Sequence, residues 1–145
     1  MNAATGSRPR RHLAVALMGL ALGCGAAQAA QHCVSTGTQL ANALNSAASN
    51  NQDDEIRIVA TTLSGTSNPV GNPRWGFTPG ANDLDKNLTI TGGWSSGNNC
   101  NSQISTDPSD TVLDSNFSGR ALQFQVLTGP FEGDVVLRNF TISRG

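Results

Sequence analysis

Two periodicities divide the chain. From Thr36, the stretch TGTQLANALNSAASNN places Leu40, Ala43, Leu44 and Ala47 at i, i+3, i+4 and i+7, a one-sided apolar stripe. Thr36 and Gln39 have the spacing of a capping box, and Asn50-Asn51 that of a stop, so the pattern predicts one short amphipathic helix. Its stripe is narrow and alanine-rich, enough to cover an apolar surface but not to form a core alone. Beyond it the period becomes two. Ile56 and Ile58 flank Arg57, Leu88 and Ile90 flank Thr89, and Leu122, Phe124 and Val126 alternate with Gln123 and Gln125, as half-buried strands do. Between these runs lie Ser64 to Lys86 and Ser95 to Asp110, rich in Gly, Pro, Asn, Asp and Ser, which is loop chemistry. Loops of that length count against a compact sandwich and suit a fold of stacked coils.

A repeat supports that reading. Asn87-Leu88-Thr89-Ile90-Thr91-Gly92-Gly93 recurs fifty-two residues later as Asn139-Phe140-Thr141-Ile142-Ser143-Arg144-Gly145, with Thr111 to Asp114 near the midpoint. The spacing equals two coils of about twenty-six residues, within the range of solenoid repeats. Val135 and Leu137 share one face, and the alternation resumes with opposite parity at Phe140 and Ile142, so a bend is expected at Arg138-Asn139. Stacked coils would set Asn87 and Asn139 above one another as a structural ladder of side-chain amides.

The first thirty residues address a different question. Arg8, Arg10 and Arg11 precede the apolar run Leu13 to Leu22, which is too short for a permanent span, and Ala27-Gln28-Ala29 offers small residues for cleavage after Ala29. This is the order of a cleavable signal peptide and predicts a protein that is secreted or held in the periplasm or at the cell surface. Leu22-Gly23-Cys24 leaves a lipoprotein anchored through Cys24 as the alternative. Without that segment, six basic residues face ten acidic ones, a net charge of about −4 that argues against nucleic acid as a partner. No later run has the length of a transmembrane anchor. Cys33 and Cys100 are the cysteines that remain, and in an oxidising compartment a disulfide between them is the default, with two free thiols as the alternative.

The order of helix, first strand, loop, LTITGGW at Leu88 to Trp94, DPSDTVLDS at Asp107 to Ser115 and VVLRNFTISRG at Val135 to Gly145 resembles secreted bacterial right-handed parallel β-helix repeat proteins, similar in fold to pectate lyases. Ser115 stands where glycine is usual in that group. The resemblance implies an all-β, right-handed parallel β-helix solenoid with a short N-terminal capping α-helix. It divides the chain into a signal peptide at 1–29, an N-terminal segment with the helix at 30–54 and first coils at 55–145. The pattern stops in mid-strand, so the chain reads as an N-terminal fragment, incomplete at its C-terminus.

Candidate chemistry is sparse. His32, the one histidine past the signal, sits far from any recognisable nucleophile motif, and no cofactor or metal spacing is present. Asp53-Asp54-Glu55 reads as a solvated turn, Asp107 and Asp110 as turn residues, and Asp114, at a strand end, is the weak binding candidate among the acids. Trp75 is the other, as a flat face for a sugar ring, with Trp94 behind it; the competing reading is that both close the edge of a small core. Two functions follow: a surface or secreted structural or adhesion module meeting a carbohydrate or cell-surface partner, or the front of a polysaccharide lyase or glycoside hydrolase with its catalytic residues downstream.

Overall fold

The structure, a computed structural model, describes residues 28–65, 75–97, 99–116 and 119–144. The basic head, the apolar run and Cys24 of the predicted signal lie outside them. Nine strands and one helix follow in the order β1 (Ala30–Val34), α1 (Gly37–Ala47), β2 (Asp54–Val59), β3 (Thr62–Ser64), β4 (Trp75–Phe77), β5 (Leu88–Trp94), β6 (Val112–Asp114), β7 (Leu122–Phe124), β8 (Val135–Arg138) and β9 (Thr141–Ser143). They form three sheets, ordered β1-β2-β5-β8, β3-β6-β9 and β4-β7, and every ladder is parallel.

The expected right-handed parallel β-helix solenoid is corrected by this arrangement: the described residues form three small parallel sheets of four, three and two strands beside a single α-helix. No constant repeat underlies them. Ala30 pairs with Asp54, Asp54 with Leu88 and Leu88 with Val135, steps of 24, 34 and 47 residues. In the second sheet the steps from Thr62 to Val112 and on to Thr141 are 50 and 29. The repeat read from Asn87 and Asn139 is a local likeness whose copies fall in different sheets, since Leu88–Trp94 is β5 of the first and Thr141–Ser143 is β9 of the second. Backbone pairing decides this: Leu88 N–H donates to the carbonyl of Asp134 at 2.8 Å, which aligns β5 with β8.

Local chemistry explains the helix. Thr36 is extended, and its hydroxyl accepts from Gln39 N–H at 3.2 Å while Gln39 Oε1 reaches one residue past the cap and accepts from Ser35 N–H at 2.8 Å, a variant of the expected box. Leu40 and Leu44 turn inward and are fully buried with Ile56, Ile58, Leu63, Leu88, Ile90 and Leu113. Each such side chain contributes roughly 1.5–3 kcal/mol by leaving water. Phe77 meets Phe124 and Phe131 edge to face, with ring centroids 6.1 and 6.4 Å apart. The Gly92-Gly93 pair ends β5 where two other backbones pass. A Cβ on Gly92 would collide with the carbonyl of Asn139 and one on Gly93 with that of Ser105, and Gly93 also has φ +83°.

Candidate functional site

Pairing of β1 with β2 sets Gln31 beside Glu55 and Cys33 beside Arg57. From that row a polar cluster grows. Arg57 Nη2 contacts Glu55 Oε2 at 2.8 Å, its Nη1 donates to the Cys100 carbonyl at 3.1 Å, and its guanidinium lies 4.1 Å from the centroid of the Trp94 ring. Gln31 Nε2 donates to Glu55 Oε2 at 3.2 Å. Partial burial pushes the Glu55 carboxyl up, but hydrogen bonds from Arg57 and Gln31 and the Arg57 charge outweigh it and hold it below its ordinary value. The predicted disulfide lies beside this cluster: Cys33 of β1 is bonded to Cys100 in the loop after β5, with Cα atoms 5.5 Å apart.

The largest surprise is at His32. The sequence offers it no evident partner, since β1 is short and polar. In the structure His32 Nε2 lies 2.9 Å from Asp54 Oδ1, and Asn50 Nδ2 donates to the same oxygen at 2.9 Å. Asp54 is buried, so the expected solvated acidic turn is partly a brace between β1, β2 and the segment after α1. Gln31, His32, Gln39, Asn42 and Ser46 line a shallow groove of about 430 Å³ between β1 and α1. Their amides, hydroxyl and imidazole can donate and accept hydrogen bonds along it.

A side-chain ladder exists, with different members from those expected. Asp53 Oδ1 accepts from Asn87 N–H at 2.8 Å, and Asn87 Oδ1 accepts from Asp134 N–H at 2.9 Å. The rail therefore runs Asp53, Asn87, Asp134 along the N-terminal ends of β2, β5 and β8. Asn139 is not in it: it sits between β8 and β9 with φ +58°, at the predicted bend.

This chain matches no family model, no curated protein and no solved structure. The remaining candidates are placed by geometry alone. Trp75 is 1% exposed and its Nε1 donates to the Gly37 carbonyl at 2.8 Å, so its ring is core and holds α1 to β4 instead of facing a sugar. Trp94 lies at the end of β5 under the Arg57 guanidinium. Asp114 is buried, accepts from Asn116 N–H at 2.8 Å and from Arg144 Nε at 2.8 Å, and forms an ion pair with that arginine. Asp83, also buried, accepts from Asn51 N–H at 2.6 Å. Trp75 and Asp114 lie in different sheets and are not brought into one site. Among the described residues no helix is long and apolar enough to cross a membrane, and no three His, Cys, Asp or Glu side chains gather as a metal site.

Proposed function

We propose that the chain is an exported structural or adhesion module that meets a carbohydrate or cell-surface partner without altering it. The observation that carries this reading is how the buried carboxylates are used. Asp54, Asp83 and Asp114 each hold a neighbouring segment through hydrogen bonds at 2.6–2.9 Å, so the acids that could serve sugar chemistry brace the scaffold instead. The Cys33–Cys100 bond fits the same reading, because such bonds persist where thiols are oxidised. The β1–α1 groove, with its amides and hydroxyl, has donors and acceptors suited to sugar hydroxyls.

The test is expression with the chain's own first residues in a bacterial host. The expected product lies outside the cytoplasm, begins at Ala30, carries no free thiol and is retained on immobilised polysaccharide or on whole cells while releasing no sugar ends. Release of unsaturated or new reducing ends from an acidic polysaccharide would replace the adhesion reading with a lyase or hydrolase.

A further inference from the structure

Gly37–Ala47 holds no acidic, basic or histidine side chain, so the exposed face of α1 is uncharged. Exposed helix faces ordinarily carry charges, and asparagine and serine are poor helix formers. Yet Asn42, Asn45 and Ser46 all occupy exposed positions of this helix. Gln39, Asn42 and Ser46 stand at i, i+3 and i+7 along the β1–α1 groove, and the Asn42 and Ser46 side chains have no hydrogen-bond partner among the described residues. A helix that gives up intrinsic stability there without gaining a contact points to something outside itself. We propose, resting on the carbohydrate reading above, that this groove is the saccharide site and that its ligand is an uncharged glycan.

Three fixed partners set the hydrogen-bonding sense of the groove. Ser35 N–H can only donate, so Gln39 gives it Oε1 at 2.8 Å and is left with Nε2 as a donor. The Glu55 and Asp54 carboxylates can only accept. Gln31 therefore gives Nε2 to Glu55 at 3.2 Å and keeps Oε1 as an acceptor, while His32 gives Nε2 to Asp54 at 2.9 Å and, in the neutral ring, keeps the Nδ1 lone pair. Asp54 and Glu55 act here as positioning residues. The α1 side thus holds a fixed donor and the β1 side two fixed acceptors, with the Asn42 amide and Ser46 hydroxyl able to do both. Sugar hydroxyls, each a donor and an acceptor, satisfy all of them.

Charge and shape narrow the class further. No lysine or arginine lines the groove among the described residues, and carboxylates stand behind Gln31 and His32. A uronate or a sulfated sugar would meet repulsion without a counter-charge. The apolar lining residues Val34 and Ala43 are small and buried, which leaves no pocket for the side chains of an extended peptide. At about 430 Å³ the groove lies toward the lower end of small-molecule sites, so it takes a short stretch of the glycan.

The experiment is affinity electrophoresis of the full chain, expressed into an oxidising compartment, through gels holding dextran, mannan, galactan or laminarin and through gels holding dextran sulfate, alginate or polygalacturonate. At least one neutral polysaccharide is expected to retard the wild type, and none of the acidic ones. Asn42→Ala and Ser46→Ala are each expected to weaken that retardation about fivefold and together to abolish it, while raising the melting temperature read by circular dichroism. Asn45→Ala, on the same helix but off the groove, is expected to raise the melting temperature and leave retardation unchanged. A more stable fold with weaker binding is the split that a merely structural role would not give. A lower melting temperature in Asn42→Ala and Ser46→Ala would overturn the inference by showing both side chains to be structural. Retardation that survives the double variant would overturn the groove assignment and leave the carbohydrate reading standing, and retardation by acidic polysaccharides alone would overturn the uncharged ligand. No retardation in any gel would bring down the carbohydrate reading itself.

Discussion

Leu40 and Leu44 on α1 and Leu137 and Ile142 on β8 and β9 are the same class of side chain at equally periodic positions. The first two are fully buried, whereas the second two are 42% and 48% exposed. Their own sequences do not make the difference; the layers around them do. At one end α1 lies across β4, pinned by the Trp75–Gly37 hydrogen bond, and the disulfide ties β1 to the loop after β5. At the other end the final strands of all three sheets carry half-exposed apolar side chains. Periodicity assigns a side chain to a face; what covers that face is a tertiary matter.

Charging the two ends separates them most sharply. Leu44→Asp leaves a carboxylate without a partner in the core and is expected to cost about 4 kcal/mol in urea unfolding, while Ser46→Asp, at an exposed position of α1 on the groove, stays within about 0.5 kcal/mol. Leu137→Asp, on the half-exposed β8, is expected to cost about 1 kcal/mol or less. Equal losses at Leu44 and Leu137 would break the comparison. Removing the staple comes next. The bond closes a separation of 67 residues, and the double substitution Cys33→Ser/Cys100→Ser is expected to lower stability by about 4 kcal/mol on the chain-entropy model. A loss below about 1 kcal/mol in thermal or urea unfolding would show that α1 packing alone holds the covered end.

Smaller effects sharpen the picture. Thr36→Ala removes the N-cap of α1 and should cost about 1 kcal/mol by the same unfolding measurement. Glu55 gives a pH signature. Its carboxyl is held below its ordinary value of 4.5 in the folded chain, so its contribution is present above that value and is lost as pH falls through the lower folded one. A wild-type stability curve should therefore turn down more steeply below about pH 4.5 than that of Glu55→Gln, and superimposable curves would dissociate Glu55 from acid stability.

Much of the covered end was legible in the residues. The i, i+3, i+4 spacing and the Thr36–Gln39 pair located α1, and counting cysteines located the disulfide. Alternation found β2, β5 and β7. It missed β3 and β4, because three-residue strands inside Gly/Pro-rich stretches carry too few alternations to register. It also missed β1, whose polar His32 interrupts the apolar pattern. The solenoid expectation fails for a related reason: a seven-residue likeness is not a period, and pairing follows which backbone groups meet. Asp134, not Asn139, aligns with Asn87. Of the candidate site, Trp75 carries two readings in the sequence, a face for a sugar ring and a closure of the core edge; burial under α1 decides for the second, which loop chemistry alone could not.

The parallel ladders carry one more consequence, in time. Among the described residues no ladder joins partners fewer than 24 residues apart, and the longest joins Thr62 to Val112 across 50. Each closes a long loop before its hydrogen bonds form, and the Cys33–Cys100 bond closes a longer one still. Such non-local topology places refolding of the oxidised chain in the millisecond-to-second range, slower than a helical bundle of equal size, a rate that stopped-flow fluorescence of Trp75 and Trp94 would read. During that interval the strand edges of every sheet are open together, so the conditions that favour correct refolding are dilute ones.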